Sequence, residues 1–95
     1  MKAYIVADIE MKDPVAYEAY RRDVPAMIAA YGGRYLVRGG ATRVLEGDWQ
    51  PRRMVILEFP SMQQAEAFYG SAEYQALKAI RMNASDSRLV AVEGC

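Results

Sequence analysis

Two kinds of apolar spacing alternate along this chain, and the order in which they occur constrains its fold most. Alternation of apolar and polar residues indicates a β-strand, whereas apolar residues three and four apart indicate a helix. The two spacings occur in the order strand, helix, strand, strand, helix, strand. Because only 95 residues are available, these elements must share one modest core, and we expect a single domain over residues 1–95.

Residues of capping type mark where the helices begin and end. The Asp-Pro pair at 13–14 is typical of a helix start, and the glycine pair at 32–33 is typical of a helix end. Pro25 lies inside the first helix, where we expect a kink or a restart. Ser61, with Gln64 three residues later, has the spacing of a capping box and predicts the start of the second helical region.

The strand segments complete the architecture. They are Ala3 to Ile9, Arg34 to Arg38, Arg53 to Phe59 and Leu89 to Val92. Gly39 and Gly40 interrupt the second strand and predict a bulge, after which we expect the strand to resume over Thr42–Glu46 before a turn at 47–51. The order βαββαβ predicts a ferredoxin-like α+β fold, with a four-stranded antiparallel sheet ordered 4-1-3-2 and both helices on one face.

Parity along the strands assigns residues to the two faces of the sheet. The face that suits the helices carries Ala3, Ile5, Ala7, Ile9, Tyr35, Val37, Val55, Leu57, Phe59, Leu89 and Ala91. The opposite, open face carries Tyr4, Val6, Leu36, Met54, Ile56, Val90 and Val92. Such a face exceeds the apolar patch of about 300–600 Å² that monomers tolerate. We therefore expect a second copy to cover it in a homodimer, with cover by the long loop 39–51 as the alternative.

The same parity places ionisable residues on the open face. Asp8 and Arg38 would lie at one edge, about 9–10 Å apart, and Glu58 about a dozen Å away beside Lys2 or Tyr4. Buried charges either pair with one another or line a wet cavity. The second alternative predicts a small-molecule cavity between the two sheets of the dimer, where Arg38 recognises an anion or a carbonyl compound. A register slip of one residue would exchange the faces.

The candidate ligand-binding residues are Arg38, Trp49, Glu58, Asp8 and Tyr4. Glu58 and Asp8 are also the candidate catalytic groups; Glu58 could be a base whose pKa is raised by burial, or could simply pair with a cation. Trp49 could cover a cavity, stack on a ligand or anchor the loop. Arg81 and Arg88 are expected to be surface or interface charges.

Composition excludes several functions. The chain has no histidine, which removes the commonest metal ligand and general base, so we expect neither a metal nor another cofactor. Twelve Lys and Arg balance twelve Asp and Glu, so we expect no nucleic-acid partner. No segment approaches the roughly 20 apolar residues that cross a membrane. Cys95 is the only cysteine, which is typical of a reducing compartment and favours the cytoplasm.

Five segments together resemble a known family. They are YGGRYLVRGG (31–40), LEGDWQP (45–51), RMVILEFPS (53–61), SAEYQ (71–75) and SRLVAVEG (87–94), and they resemble the family named domain of unknown function 1330. The resemblance implies a ferredoxin-like protomer of the dimeric α+β barrel superfamily. That superfamily includes cofactor-free monooxygenases, lactone isomerases and haem-dependent members. Because haem-binding and many monooxygenase relatives rely on a histidine, its absence here argues against borrowing either activity.

Three functions therefore remain open. The first is a homodimer of unknown function that binds a small organic ligand. The second is a cofactor-independent enzyme, monooxygenase- or isomerase-like, in which Arg38 stabilises an enolate or carboxylate and Glu58 or Asp8 moves a proton. The third is an interaction module whose buried charges only fix the register of the dimer.

Overall fold

The computed structural model describes residues 1–95, and its elements follow the order expected from the apolar spacing. The strands are β1 (Ala3–Met11), β2 (Arg34–Arg38), β3 (Met54–Phe59) and β4 (Ser85–Glu93). The helices are α1 (Pro14–Ala30), α2 (Met62–Gly70) and α3 (Ala72–Ala84). The strands form one antiparallel sheet ordered β2-β3-β1-β4, which confirms the predicted strand order and the ferredoxin-like fold.

The helices begin where the capping residues predict. The Asp13 carboxylate and the Ser61 hydroxyl each accept a hydrogen bond from the backbone N–H three residues on, at 3.0 and 3.1 Å. Ser71 ends α2 and also caps α3. Helix α1 continues through Pro25, so the expected restart does not occur; buried residues on both sides of the proline hold the two halves on the core. None of the helices is both long and apolar enough to cross a membrane.

One face of the sheet and the helices enclose the core. Side chains of β1 alternate between buried and partly exposed, which confirms the face predicted for this strand. Aromatic rings from β3, α2 and α3 pack in a row, with ring centres 5.3 Å apart for Phe59 and Phe68 and 4.6 Å apart for Phe68 and Tyr74. Large aromatic side chains therefore help to anchor α2 and α3 to the sheet.

The segment between β2 and β3 is a loop. It contains no strand, so the predicted continuation over Thr42–Glu46 is wrong. Residues 41–50 are all exposed, and a strand there would have no neighbouring strand or buried face to stabilise it. The chain leaves β2 at Gly39, whose φ of 73° is readily adopted only by glycine.

A bulge in β2 changes which face its last residues occupy. The Cα partners across β2 and β3 are Arg34–Glu58, Tyr35–Leu57, Val37–Ile56 and Arg38–Val55. Leu36 is therefore an extra residue without a partner, and it shifts the register by one. As a result Arg38 lies on the helix-covered face and Val37 on the open face, the reverse of the prediction. Parity predicts a face only along an unbroken ladder, and the bulge breaks this one.

Candidate functional site

A cavity of about 50 Å³ lies between the helices and the sheet. Most of its walls are apolar side chains of the core. Eight polar residues also line it, namely Arg21, Arg38, Arg53, Arg81, Tyr17, Tyr20, Tyr35 and Tyr74. None of the twelve acidic residues of the chain contributes to its walls. The cavity thus concentrates positive charge in a chain that has no net charge.

Different elements bring the arginines to this cavity. The bulge in β2 turns Arg38 towards it, and the guanidinium carbon of Arg38 lies 4.3 Å from the centre of the Tyr35 ring. Arg53 directly precedes β3 and shares the face of Val55 and other core residues of that strand. Arg81 lies on the buried face of α3, and only 3% of it is exposed. The prediction that Arg81 is a surface or interface charge is therefore wrong.

The arginines of the cavity have few partners within the protein. No carboxylate forms a salt bridge with Arg38, Arg53 or Arg81. Arg81 donates a hydrogen bond from Nη1 to the hydroxyl of Ser87, which carries no charge. The Nε atoms of Arg53 and Arg81 are buried and donate to no acceptor. A buried charged donor without an acceptor is unfavourable, so an acceptor supplied by a ligand would stabilise these atoms.

The tyrosines of the cavity add hydroxyl groups to its walls. The hydroxyls of Tyr20 and Tyr74 share a buried hydrogen bond of 2.7 Å. Burial, together with the nearby Tyr74, raises the pKa of Tyr20 far above its usual value. Burial also raises the pKa of Tyr17 and of Tyr35. These three phenols therefore stay protonated at neutral pH and are poor bases.

Glu58 lies on the open face and is held by two cations. Its Oε1 accepts a hydrogen bond of 2.8 Å from Arg34 Nε and one of 3.3 Å from Lys2 Nζ. The bond from Arg34, helped by the one from Lys2, outweighs partial burial and holds the pKa of Glu58 below its usual value. The expectation of a raised pKa is therefore wrong, because two cations stabilise the charged form. Glu58 is a paired carboxylate, as the alternative interpretation had it.

Asp8 anchors the β2–β3 loop to the open face. Its carboxylate accepts a 3.0 Å hydrogen bond from Trp49 Nε1 and a 2.9 Å bond from the backbone N–H of Arg52. Partial burial raises the pKa of Asp8, but these two bonds and the charge of Arg88 outweigh it, so the pKa lies below its usual value. Trp49 therefore serves as an anchor of the loop, and Asp8 does not pair with Arg38.

The open face remains largely uncovered. Leu36, Val90 and Val92 are 45%, 60% and 50% exposed. The loop contacts one end of this face, where Trp49 lies beside Val6 in a shallow groove. The alternative in which the loop covers the whole face is therefore not what the structure shows.

The predicted site residues do not form a single cluster. Tyr4 and Glu58 are direct partners across β1 and β3, and Asp8 contacts Trp49, but Arg38 lies on the other side of the sheet. No three His, Cys, Asp or Glu side chains lie close enough together to hold a metal ion.

Sequence reasoning missed two arginines, and both had a detectable signal. Arg53 has the strand parity of Val55, which faces the core. Arg81 follows Leu77 by four residues and Tyr74 by seven, and so continues the apolar stripe of α3.

Several solved structures share this fold. The RPA0582 protein of unknown function from Rhodopseudomonas palustris has a TM-score of 0.74 and 22% identity, over 99% of this chain and 82% of its own. A dimeric ferredoxin-like protein of unknown function from Jannaschia sp. CCS1 has a TM-score of 0.66 and 13% identity, over 99% of this chain and 100% of its own. SnoaB from Streptomyces nogalater, a cofactor-independent oxygenase, has a TM-score of 0.66 and 10% identity, over 99% of this chain and 93% of its own. At these identities the similarity establishes the fold alone.

Sequence comparison identifies the family. No curated protein matches this chain significantly. The family model described as Domain of unknown function (DUF1330) matches residues 2–95, which is practically the whole chain. The protein with the arginine-lined cavity and the open apolar sheet face therefore belongs to the DUF1330 family.

Proposed function

We propose that this protein is a homodimer that binds a small organic molecule in the cavity between the helices and the sheet of each protomer. The observation that carries the proposal is the cavity, which combines mostly apolar walls with two buried arginine Nε donors, those of Arg53 and Arg81, that have no acceptor in the protein. Sites for small molecules are typically concave and apolar, with a few convergent polar groups. The side chains of this cavity fit that description.

The open sheet face supports the homodimer. Leu36, Val90 and Val92 lie exposed on it, and a second copy related by a two-fold axis would bury the same residues of both protomers. Two proteins of similar fold are dimeric: the one from Jannaschia sp. CCS1 and a second of unknown function from Bacteroides fragilis NCTC 9343, with a TM-score of 0.56 and 13% identity. The fold of these neighbours thus accommodates association of two protomers.

The ligand site is better placed on the helix-covered side than between the two sheets. Glu58 and Asp8, the carboxylates predicted to line a cavity between the sheets, each already accept two hydrogen bonds within the protomer. On the open face Arg34 is committed to Glu58, and Arg88 lies beside Asp8, whose pKa its charge lowers. Arg38, which we predicted as a ligand contact, instead lines the mouth of the helix–sheet cavity.

The second candidate function is a cofactor-independent enzyme. The observation in its favour is the fold shared with SnoaB, a cofactor-independent oxygenase. The predicted combination of Arg38 with Glu58 or Asp8 does not assemble, because the sheet separates them. The cavity itself offers arginines and protonated tyrosines, but neither a carboxylate nor a histidine to accept a proton. Binding is therefore the function that the geometry supports better than turnover.

The homodimer is tested by sedimentation velocity at micromolar concentration. We expect the wild type to sediment as a dimer and Val90→Asp to sediment as a folded monomer, because a charge on the open face opposes its burial. Val15→Asp is the matched control, since Val15 is 86% exposed on α1, away from the sheet, and should leave the dimer intact. A monomeric wild type would contradict the proposed assembly.

Ligand binding is tested by a thermal-shift screen of small organic compounds. A ligand present at a concentration of about a hundred times its dissociation constant should raise the free energy of unfolding by about 2.7 kcal/mol. We expect Arg38→Ala to weaken the shift produced by compounds that bind the wild type. A screen in which no compound stabilises the wild type would contradict the proposed function.

A further inference from the structure

We propose that the helix–sheet cavity selects small organic carboxylates, with the carboxylate held by Arg53 and Arg81. The proposal rests on the function proposed above, that this cavity binds a small molecule, and adds the chemical class of the ligand. It follows from the charge, the geometry and the size of the cavity.

The charge of the cavity calls for an anion. Arg38, Arg53 and Arg81 line one partly open cavity and have no carboxylate partner within the protein. Arg81 is nearly completely buried, so solvent does little to screen its charge. A buried charge is tolerated when an opposite charge and hydrogen bonds compensate it. An anionic ligand would supply both at once.

The free donors belong to a type of group that binds planar anions. The Nε atoms of both Arg53 and Arg81 are free, and each guanidinium presents its N–H groups as a rigid fork. Such forks bind carboxylates through two parallel hydrogen bonds. Tyr17 lines the same cavity with a hydroxyl that stays protonated, and therefore adds a neutral donor.

The size of the cavity limits what can enter. Its volume of about 50 Å³ is about one third of a 150 Å³ cavity that holds a benzene ring. The carboxylate group and the one or two carbon atoms next to it fit this space, while the rest of a larger acid would extend through the mouth. The apolar walls suit the carbon atoms of an organic acid better than the four hydrated oxygens of phosphate.

The mouth of the cavity adds positive charge where an anion would arrive. Arg21 and Arg38 are exposed there, and their guanidinium groups lie 5.7 Å and 4.3 Å from the ring centres of Tyr17 and Tyr35. Stacking on an aromatic ring holds an arginine in place without neutralising its charge. These two arginines would attract an anion towards the cavity.

The proposal is tested by isothermal titration calorimetry of the purified protein. Propionate is the probe, and propionamide is the neutral molecule of nearly the same shape; phosphate and chloride serve as inorganic anions. We expect propionate to bind at least tenfold more tightly than each of the other three. A hydrogen bond between charged groups is worth enough to produce such a ratio.

Variants locate the binding site. We expect Arg53→Gln, which keeps a polar side chain but removes the charge, to weaken propionate binding at least tenfold. Arg43→Gln is the matched control, because Arg43 is exposed on the β2–β3 loop and does not line the cavity. Arg81→Lys tests the second arginine, and circular dichroism shows whether each variant is folded. If Arg81→Lys does not fold, Arg53→Gln alone decides the assignment.

The outcomes separate the two proposals. Equal binding of propionate and propionamide would overturn the carboxylate class while leaving small-molecule binding intact. Tighter binding of phosphate than of propionate would also overturn that class. Unchanged affinity in Arg53→Gln would overturn the site. A wild type that binds none of these probes overturns the carboxylate class, and the broader thermal-shift screen then decides the proposed function separately.

Discussion

Arg34 Nε donates a 2.8 Å hydrogen bond to Glu58 Oε1, and the two residues are direct partners across β2 and β3. Four residues later in the same strand, Arg38 lies on the opposite side of the sheet because the bulge at Leu36 shifts the register. The two arginines of β2 therefore have different roles. Arg34 neutralises a carboxylate on the open face, whereas Arg38 faces the helix–sheet cavity.

The pairing of Glu58 predicts how stability depends on pH. The pKa of Glu58 is lower in the folded than in the unfolded state, so its contribution to stability is fully present above the unfolded pKa of about 4.3 and is lost as the pH falls through the folded value. We expect Glu58→Gln to flatten the decrease in stability on acidification, measured as the urea midpoint from about pH 6 to about pH 3. Glu66→Gln removes an exposed glutamate outside the salt bridges and should leave the wild-type slope. Identical slopes in wild type and Glu58→Gln would contradict the pairing.

The contact between Asp8 and Trp49 predicts a fluorescence change. Asparagine has one acceptor oxygen, so Asp8→Asn should lose one of the two hydrogen bonds that hold the loop, at a cost of about 1 kcal/mol in unfolding free energy. Trp49 is the only tryptophan, and its emission should shift to longer wavelength and become easier to quench with acrylamide. Protonation of Asp8 should produce the same fluorescence change in the wild type. Because the pKa of Asp8 is lowered, this change should appear only when the pH falls below the usual pKa range of aspartate. Asp48→Asn is the control, and an unchanged spectrum in Asp8→Asn would contradict the anchor.

The parts of the fold that depend on local signals could be predicted from the sequence. Asp13 and Ser61 cap helices through contacts three residues away, and the spacing in β1 depends only on that strand. The bulge in β2 is different, because it depends on how Leu36 is accommodated against β3. The glycine pair predicts the bulge at residues 39–40, whereas it occurs at Leu36. One extra residue was enough to assign Arg38 to the wrong face.

The chemistry of the candidate site was harder to predict than its framework. The pKa of Glu58 depends on which cations lie beside it: strand parity places Glu58 near Lys2, but it does not predict Arg34, which donates the shorter bond. Arg81 was assigned to the surface because arginine is rarely buried, although its spacing from Leu77 continued the apolar stripe of α3. For both residues the expectation came from the typical behaviour of the residue type. The specific neighbours in the fold determine instead the pKa of Glu58 and the burial of Arg81.

The hydrogen bond between Tyr20 and Tyr74 predicts a non-additive pair of substitutions. Tyr20→Phe would leave the buried hydroxyl of Tyr74 without its partner, which costs about 1–3 kcal/mol of unfolding free energy. The double substitution to phenylalanine removes both hydroxyls and should be less destabilising than the sum of the single ones. Urea denaturation of the four proteins measures this coupling. Additive effects would show that the two hydroxyls do not stabilise each other.

Gly39 and Gly47 form a matched pair that separates backbone strain from the position of Arg53. Both have positive φ, 73° and 86°, so alanine at either position should destabilise the fold by about 1–2 kcal/mol. A Cβ on Gly39 would collide with the Arg53 guanidinium, whereas a Cβ on Gly47 would meet no neighbouring atom. The end of an arginine side chain moves easily, so the two variants should unfold at similar urea concentrations. Only Gly39→Ala should weaken propionate binding in calorimetry, and equal affinities in both variants would show that Arg53 does not need this position.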